Sequence, residues 1–154
     1  MKSVRERVTE YSKGDNLDLF WRLFRLRGRT HNRLGAEVLT FCLSRMARRH
    51  GGYVGRTAVI EGFLSLPHGL HGVYISRYAS IGADCRIYQN VTIGEVRGKA
   101  PQTGRNCLIG AGAVVVGDIR IGDGVKIGAG AVVCTDVPEG CTVVAPPSRI
   151  LRRE

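Results

Sequence analysis

Residues 75–94, ISRYASIGADCRIYQNVTIG, and residues 109–133, IGAGAVVVGDIRIGDGVKIGAGAVV, decide the fold. An aliphatic side chain returns at every sixth position: Ile75, Ile81, Ile87 and Ile93 in the first stretch, then Ile109, Val115, Ile121, Ile127 and Val133 in the second. The position four later is small or aliphatic, as in Ala79, Cys85, Val91, Ala113, Ile119, Val125 and Ala131. Gly often follows the aliphatic residue, as at Gly82, Gly94, Gly110, Gly122 and Gly128. A period of two would mark a strand and a period near 3.6 a helix. A period of six marks a hexapeptide β-helix, a solenoid of short parallel strands. Each periodic aliphatic side chain is expected to point inward and stack on its equivalent in the next coil. Glycine serves the corners, where side chains would obstruct the backbone.

Outward from this stretch, Val54, Ile60 and Leu66 carry the period back toward the N-terminus, and the register breaks twice. Between Leu66 and Ile75 there are three residues too many, and between Ile93 and Ile109 four too many. Inserted residues are expected to leave the wall, giving loops at 67–74 and 95–106. On a rigid scaffold, loops of this kind carry chemistry. The first holds His68 and His71, half of the chain's four histidines.

Residues 1–52 read as a helical segment before a solenoid domain at 53–154; a chain of 154 residues has room for one domain and a short appendage. Leu17, Phe20, Trp21 and Phe24 follow helical spacing, with Asp15 or Asn16 as a cap and Gly28 as a stop. A second helix is expected from Asn32 to about His50. Leu34, Val38, Phe41, Cys42 and Arg45 lie on one stripe, with Leu39, Leu43 and Met46 beside it. The net charge of +10 is uneven: residues 1–56 carry 13 Lys/Arg against 5 Asp/Glu. A basic surface of this kind can meet nucleic acid, anionic lipid or an acidic small molecule.

The five cysteines form no C-x-x-C pair and read as reduced thiols, mostly small core residues. The chain has no apolar run of the ~18 residues needed to span a bilayer. Its polar start lacks the apolar centre of a secretory signal, so the expected location is cytoplasmic, with peripheral contact at the inner membrane face left open.

Three runs then narrow the reading: Leu66-Pro67-His68-Gly69-Leu70-His71-Gly72-Val73-Tyr74-Ile75, Ile87-Tyr88-Gln89-Asn90-Val91-Thr92-Ile93-Gly94, and the close Val143-Val144-Ala145-Pro146-Pro147-Ser148-Arg149-Ile150. Together with the hexads they resemble the serine acetyltransferase-like branch of the hexapeptide-repeat acyltransferases, over about residues 54–152. The resemblance implies a mainly β chain, a left-handed parallel β-helix of hexapeptide repeats after a short helical segment. The left hand comes from the resemblance alone, since parallel crossovers are ordinarily right-handed. It further implies a homotrimer with acetyl-CoA in the groove between neighbouring prisms, and direct O-acetyl transfer to a hydroxyl. The acceptor would be L-serine or a sugar hydroxyl of a surface polysaccharide or its precursor. No metal is expected.

By the same resemblance, His68 is the first candidate for the general base and His71 the second. A neutral imidazole that takes the hydroxyl proton contributes typically ~10²–10⁴ in rate. Ala111, Ala129, Cys134, Thr135, Arg149 and Arg152 are the candidate cofactor-binding positions, the Arg residues suiting phosphate through paired charge-assisted bonds. The resemblance has departures. Pro67 stands where many serine acetyltransferases place Asp, Glu61 is the nearest carboxylate that could orient the ring, and the family's Arg-His pair for the acceptor carboxylate is missing from 95–106, where Arg97, Lys99 and Arg105 could substitute. Two other classes compete. A metal-dependent hydratase needs three His at a subunit interface, and His31 and His50 lie outside the solenoid. A non-catalytic basic scaffold would dock on a membrane through residues 15–50, although the same apolar face can instead cap the open end of the solenoid. No nucleic-acid-binding motif is present.

Overall fold

The computed structural model describes residues 17–150. The expected caps Asp15 and Asn16 and the candidate Arg152 lie outside the described residues. Among the described residues two helices, α1 (Asp18–Arg29) and α2 (Arg33–Arg49), precede fourteen short strands. Each coil lays one strand on each of three parallel sheets, as a period of six in threes requires. The first sheet stacks β1 (Tyr53–Val54), β4 (Tyr74–Ile75), β7 (Thr92–Gly94), β10 (Val114–Val116) and β13 (Val132–Val133). The second stacks β2 (Val59–Ile60), β5 (Ser80–Ile81), β8 (Gln102–Thr103) and β11 (Arg120–Ile121). The third stacks β3 (Leu64–Ser65), β6 (Cys85–Ile87), β9 (Leu108–Ile109), β12 (Lys126–Ile127) and β14 (Thr142–Val143).

The hexad positions fill the axis of this prism. Ile75, Ile93, Val115 and Val133 pair in register along the first sheet, and Ile87, Ile109 and Ile127 along the third; all are buried. The small positions between them, Ala79, Cys85, Val91, Ala113, Val125 and Ala131, are buried as well. Only two of the five thiols are core residues, however. Cys85 and Cys107 are buried, while Cys42, Cys134 and Cys141 are exposed. Hydrogen bonding to Cys107 and burial both push the Cys85 thiol up, which keeps it protonated.

The two register breaks are smaller than the sequence suggests. In the first, Leu70 does not leave the wall: it is fully buried and takes the small inward position of its coil. In the second, Gln102–Thr103 stays in the wall as β8, pairing with β5 and β11, while Ala100 is buried in the core and the Pro101 carbonyl accepts from the Ser80 N–H, so only 95–99 leaves it. Thr103 takes the inward place between Ile81 and Ile121 and is buried. The excursion is a tight hairpin. Val96 and Lys99 exchange backbone hydrogen bonds at 2.8 and 3.1 Å around Arg97 and Gly98, both at positive φ (53° and 78°). Two successive positive φ values are what a two-residue I′ turn needs. Lys99 then pairs with Asp118 of the next coil.

The helices cover the N-terminal end of the prism. Leu17, Phe20, Leu43 and Ala47 are buried in one cluster with the solenoid core, and Trp21, Phe24 and Met46 pack against it. Asn32 caps α2, its side chain accepting from the Leu34 N–H at 3.0 Å. One expectation needs correction, and one open choice is decided. Gly28 does not stop α1, which runs to Arg29 and is capped at Thr30. The stripe of α2 that faces inward is Leu43, Met46 and Ala47, whereas Leu34, Val38, Phe41 and Cys42 face solvent. Helix α2 is apolar on two sides, and periodicity alone did not say which one the solenoid would take.

Candidate active site

The loop between β3 and β4 is shaped by Leu70. With that side chain in the core, the polar residues on either side, His68 and His71, are turned to the surface, where both are exposed. Two backbone bonds close the loop: the Gly69 N–H donates to the Leu66 carbonyl and the Val73 N–H to the Leu70 carbonyl, both at 3.0 Å. His71 Nδ1 lies 2.6 Å from the His68 carbonyl oxygen. A carbonyl only accepts, so Nδ1 carries the hydrogen, and in neutral His71 the lone pair is on Nε2. The His71 ring meets His50, the C-cap of α2, with centroids 6.4 Å apart. The His68 ring lies 5.9 Å from the ring of Tyr88, one coil on. Among the described residues no hydrogen bond joins Glu61 to His68; Glu61 is exposed at the corner after β2.

The loop sits at the head of a stacked corner. The Asn90 N–H donates to the His71 carbonyl, Gly112 to Gln89 and Gly130 to Ala111, at 2.9–3.0 Å. His71, Gln89, Ala111 and Ala129 therefore occupy one column on successive coils. The residue after each is in the left-handed region: Gly72 (φ 66°), Asn90 (59°), Gly112 (69°) and Gly130 (68°). Asn is the side chain that best tolerates this conformation, which explains Asn90 as a corner residue. Gly72 is required for a second reason: a Cβ there would stand 2.0 Å from Asn90 Oδ1.

The candidate cofactor positions fall in two groups. Ala111 and Ala129 share the column with His71, and their backbone N–H groups pair with no backbone carbonyl among the described residues. Small residues with free N–H groups at an open corner fit a chain of amides such as the pantetheine arm. Cys134 and Thr135 lie on a different corner, after β13, and within one chain they are not brought to the His loop. Cys134 lines a cavity of about 580 Å³ with Arg97, Lys99 and Asp118 of the hairpin side. Arg149 is exposed near the end of the described chain. Of the three basic residues proposed to hold an acceptor carboxylate, Lys99 is engaged by Asp118, Arg97 stands at the hairpin tip, and Arg105 is exposed with its backbone N–H bonded to Asp123.

Three residues near the loop escaped the sequence reading: Tyr88, His50 and Gln89. The Gln89 Oε1 is buried and has no hydrogen-bond partner among the described residues. The signal for Tyr88 and Gln89 was present in the hexads, since adding coil lengths to the His loop lands on them. His50 had none, because its proximity depends on how α2 docks. Among the described residues, no three His, Cys, Asp or Glu side chains converge as a metal site would need, and no helix is long and apolar enough to cross a membrane.

Comparison with known proteins agrees with the solenoid fold. The bacterial transferase hexapeptide model (six repeats) matches residues 100–135. A serine acetyltransferase of Synechococcus elongatus is 48% identical over 92 residues, which is 57% of this chain and 37% of the relative. The serine acetyltransferase of Helicobacter pylori is 40% identical over 108 residues, 68% of this chain and 59% of the relative. Among solved structures, soybean serine acetyltransferase complexed with serine superposes with a TM-score of 0.75 at 31% identity, covering 86% of this chain and 56% of that one. The Neisseria gonorrhoeae enzyme in complex with serine gives 0.73 at 34%, covering 85% and 55%. This chain thus spans only about half the length of those structures, and less of the cyanobacterial relative. In repeat, sequence and backbone, its solenoid is a β-helix of hexapeptide repeats similar to that of the serine acetyltransferases.

Proposed function

We propose that the protein is an acetyl-CoA-dependent O-acetyltransferase in which His68 is the general base and the acceptor is a small hydroxyl compound, L-serine or a sugar. The observation that carries this reading is the His loop itself. It departs from a regular wall, points two imidazoles outward, and belongs to a solenoid close in sequence to serine acetyltransferases. Acetyl-CoA supplies an acetyl group activated as a thioester. His68 takes the proton of the acceptor hydroxyl as its oxygen attacks the thioester carbonyl. The new C–O bond forms, the C–S bond breaks, and the imidazolium returns its proton to the departing thiolate. His71 holds the His68 carbonyl and so fixes the turn that presents the base. Ala111 and Ala129 offer N–H groups along the same corner for the cofactor's amides, and Cys134, Thr135, Arg149 and Arg152 would complete the site from another corner. Two corners of separate prisms meet in a homotrimer, which is the assembly this arrangement calls for.

The test is mass-spectrometric detection of CoA and acetylated product with purified protein, acetyl-CoA and L-serine. O-acetylserine that forms only when serine is present assigns the acceptor. Acetyl-CoA binding without serine turnover moves the acceptor to sugars. Absence of acetyl-CoA binding overturns the reading.

A further inference from the structure

The helical cap has a face that the solenoid leaves bare. On α2, Leu34, Val38 and Phe41 follow i, i+4, i+7 spacing and are 74%, 56% and 68% exposed. Arg45 continues the same stripe and Arg48 and Arg49 flank its end, all exposed. Helix α1 is built alike on its outer side, where Leu19 and Leu26 are exposed beside Arg22 and Arg29. The two helices carry eight Arg against Asp18 and Glu37, a net charge of +6. The rest of the described chain is close to neutral, with nine Lys/Arg against seven Asp/Glu over 51–150. The inward stripe of α2 already meets the core, so the outer apolar stripe is surplus to closing the prism.

The occupant of this face must satisfy both its apolar stripe and its cations. A second copy of the same face would set Arg against Arg in a place that also needs dehydration, which like charges oppose. An anionic lipid surface supplies hydrocarbon for Leu34, Val38 and Phe41 and headgroup charge for the Arg rows, the pattern of an interfacial amphipathic helix. We infer that the outer face of α1 and α2 docks the protein on anionic membrane surfaces. The inference is independent of the acetyl-transfer reading. A membrane-bound position would set the His loop, which packs against the end of α2 through His50 and His71, close to the lipid surface.

The experiment is co-sedimentation of the full chain with vesicles of phosphatidylcholine alone and of phosphatidylcholine containing about a third phosphatidylserine. The expected result is binding to the anionic vesicles only. Two variants, Leu34→Ser/Phe41→Ser and Arg45→Glu/Arg48→Glu, are each expected to weaken that binding by about tenfold or more. All four positions are exposed, and circular dichroism checks that both variants keep the native spectrum. Failure of the native chain to bind anionic vesicles overturns the inference, as does binding by the folded variants equal to that of the native chain. So does a fall in solution mass in the Leu34→Ser/Phe41→Ser variant, which would mean that another copy covers the stripe. Acetyl transfer is assayed separately with soluble acceptors, so either reading can fail without the other.

Discussion

His68 and His71 are three residues apart and both are imidazoles at the surface, yet their surroundings give them different work. The His71 Nδ1–H is committed to the His68 carbonyl, so His71 acts on the loop. His68 has its ring against Tyr88, and the described residues give its nitrogens no hydrogen-bond partner, which leaves them open to a hydroxyl. His68→Ala should therefore lower turnover by roughly 10²–10⁴ while leaving CoA affinity unchanged, the size of effect a general base supplies. His71→Ala should lower it by about tenfold, because a loosened turn misplaces the base without removing it. Retained turnover in His68→Ala beside a loss of roughly 10²–10⁴ in His71→Ala would exchange the two assignments. Another residue-scale effect is buried in the wall. Thr103 Oγ1 has no hydrogen-bond partner among the described residues in a position shared with Ile81 and Ile121. Thr103→Val keeps the shape and removes an unsatisfied hydroxyl, so urea denaturation should show a gain of about 1 kcal/mol.

At the scale of single elements, the hexads were read correctly because a solenoid wall has one inside and one outside, and period six leaves no other arrangement. The errors have physical causes. Thr103 broke the aliphatic pattern, although its methyl fills the place of a Val methyl, so a regular coil was taken for loop. Leu70 was counted as an insertion because its hexad partner at 72 is a Gly in a corner. Helix α2 offered two apolar stripes, and Arg45 lies in the one that the structure turns to solvent. The corner column makes a quantitative prediction. Gly72 and Gly112 have nearly the same positive φ, but a Cβ at Gly112 meets nothing within 4 Å, while at Gly72 it meets Asn90 Oδ1 at 2.0 Å and Asn90 Cα at 3.1 Å. Gly112→Ala should lose only the conformational term, about 1 kcal/mol. Gly72→Ala should lose that and more, roughly 2–4 kcal/mol, since the Asn90 amide must give up its place and the Asn90 Cα cannot move away. Adding Asn90→Gly should recover part of the excess, which a double-mutant cycle in urea would measure.

Over the whole molecule, stability in a solenoid is carried from coil to neighbouring coil, and a bare end exposes core. Here the N-terminal end is closed by Phe20, which is 1% exposed and set against Trp21 and Phe24 with ring centroids 5.1 and 6.2 Å away. Truncating a buried Phe removes about 3–5 kcal/mol where the cavity cannot collapse. In a compact globule that loss would be shared by the entire structure. In this prism it should fall on the coils nearest the cap. Phe20→Ala is therefore expected to speed hydrogen exchange in β1 to β4 while β9 to β13 keep native protection, read by mass spectrometry of peptic fragments. The His loop lies between β3 and β4, inside the affected region, so turnover should fall with it even though none of the described contacts joins Phe20 to either histidine. Arg27→Ala provides the contrast: it removes a 3.3 Å bond to Thr40 between the helices without opening the core, and exchange in β1 to β4 should stay close to native. A uniform rise in exchange along all fourteen strands in Phe20→Ala would mean that the prism unfolds as one unit, and that the cap holds the far coils as firmly as the near ones.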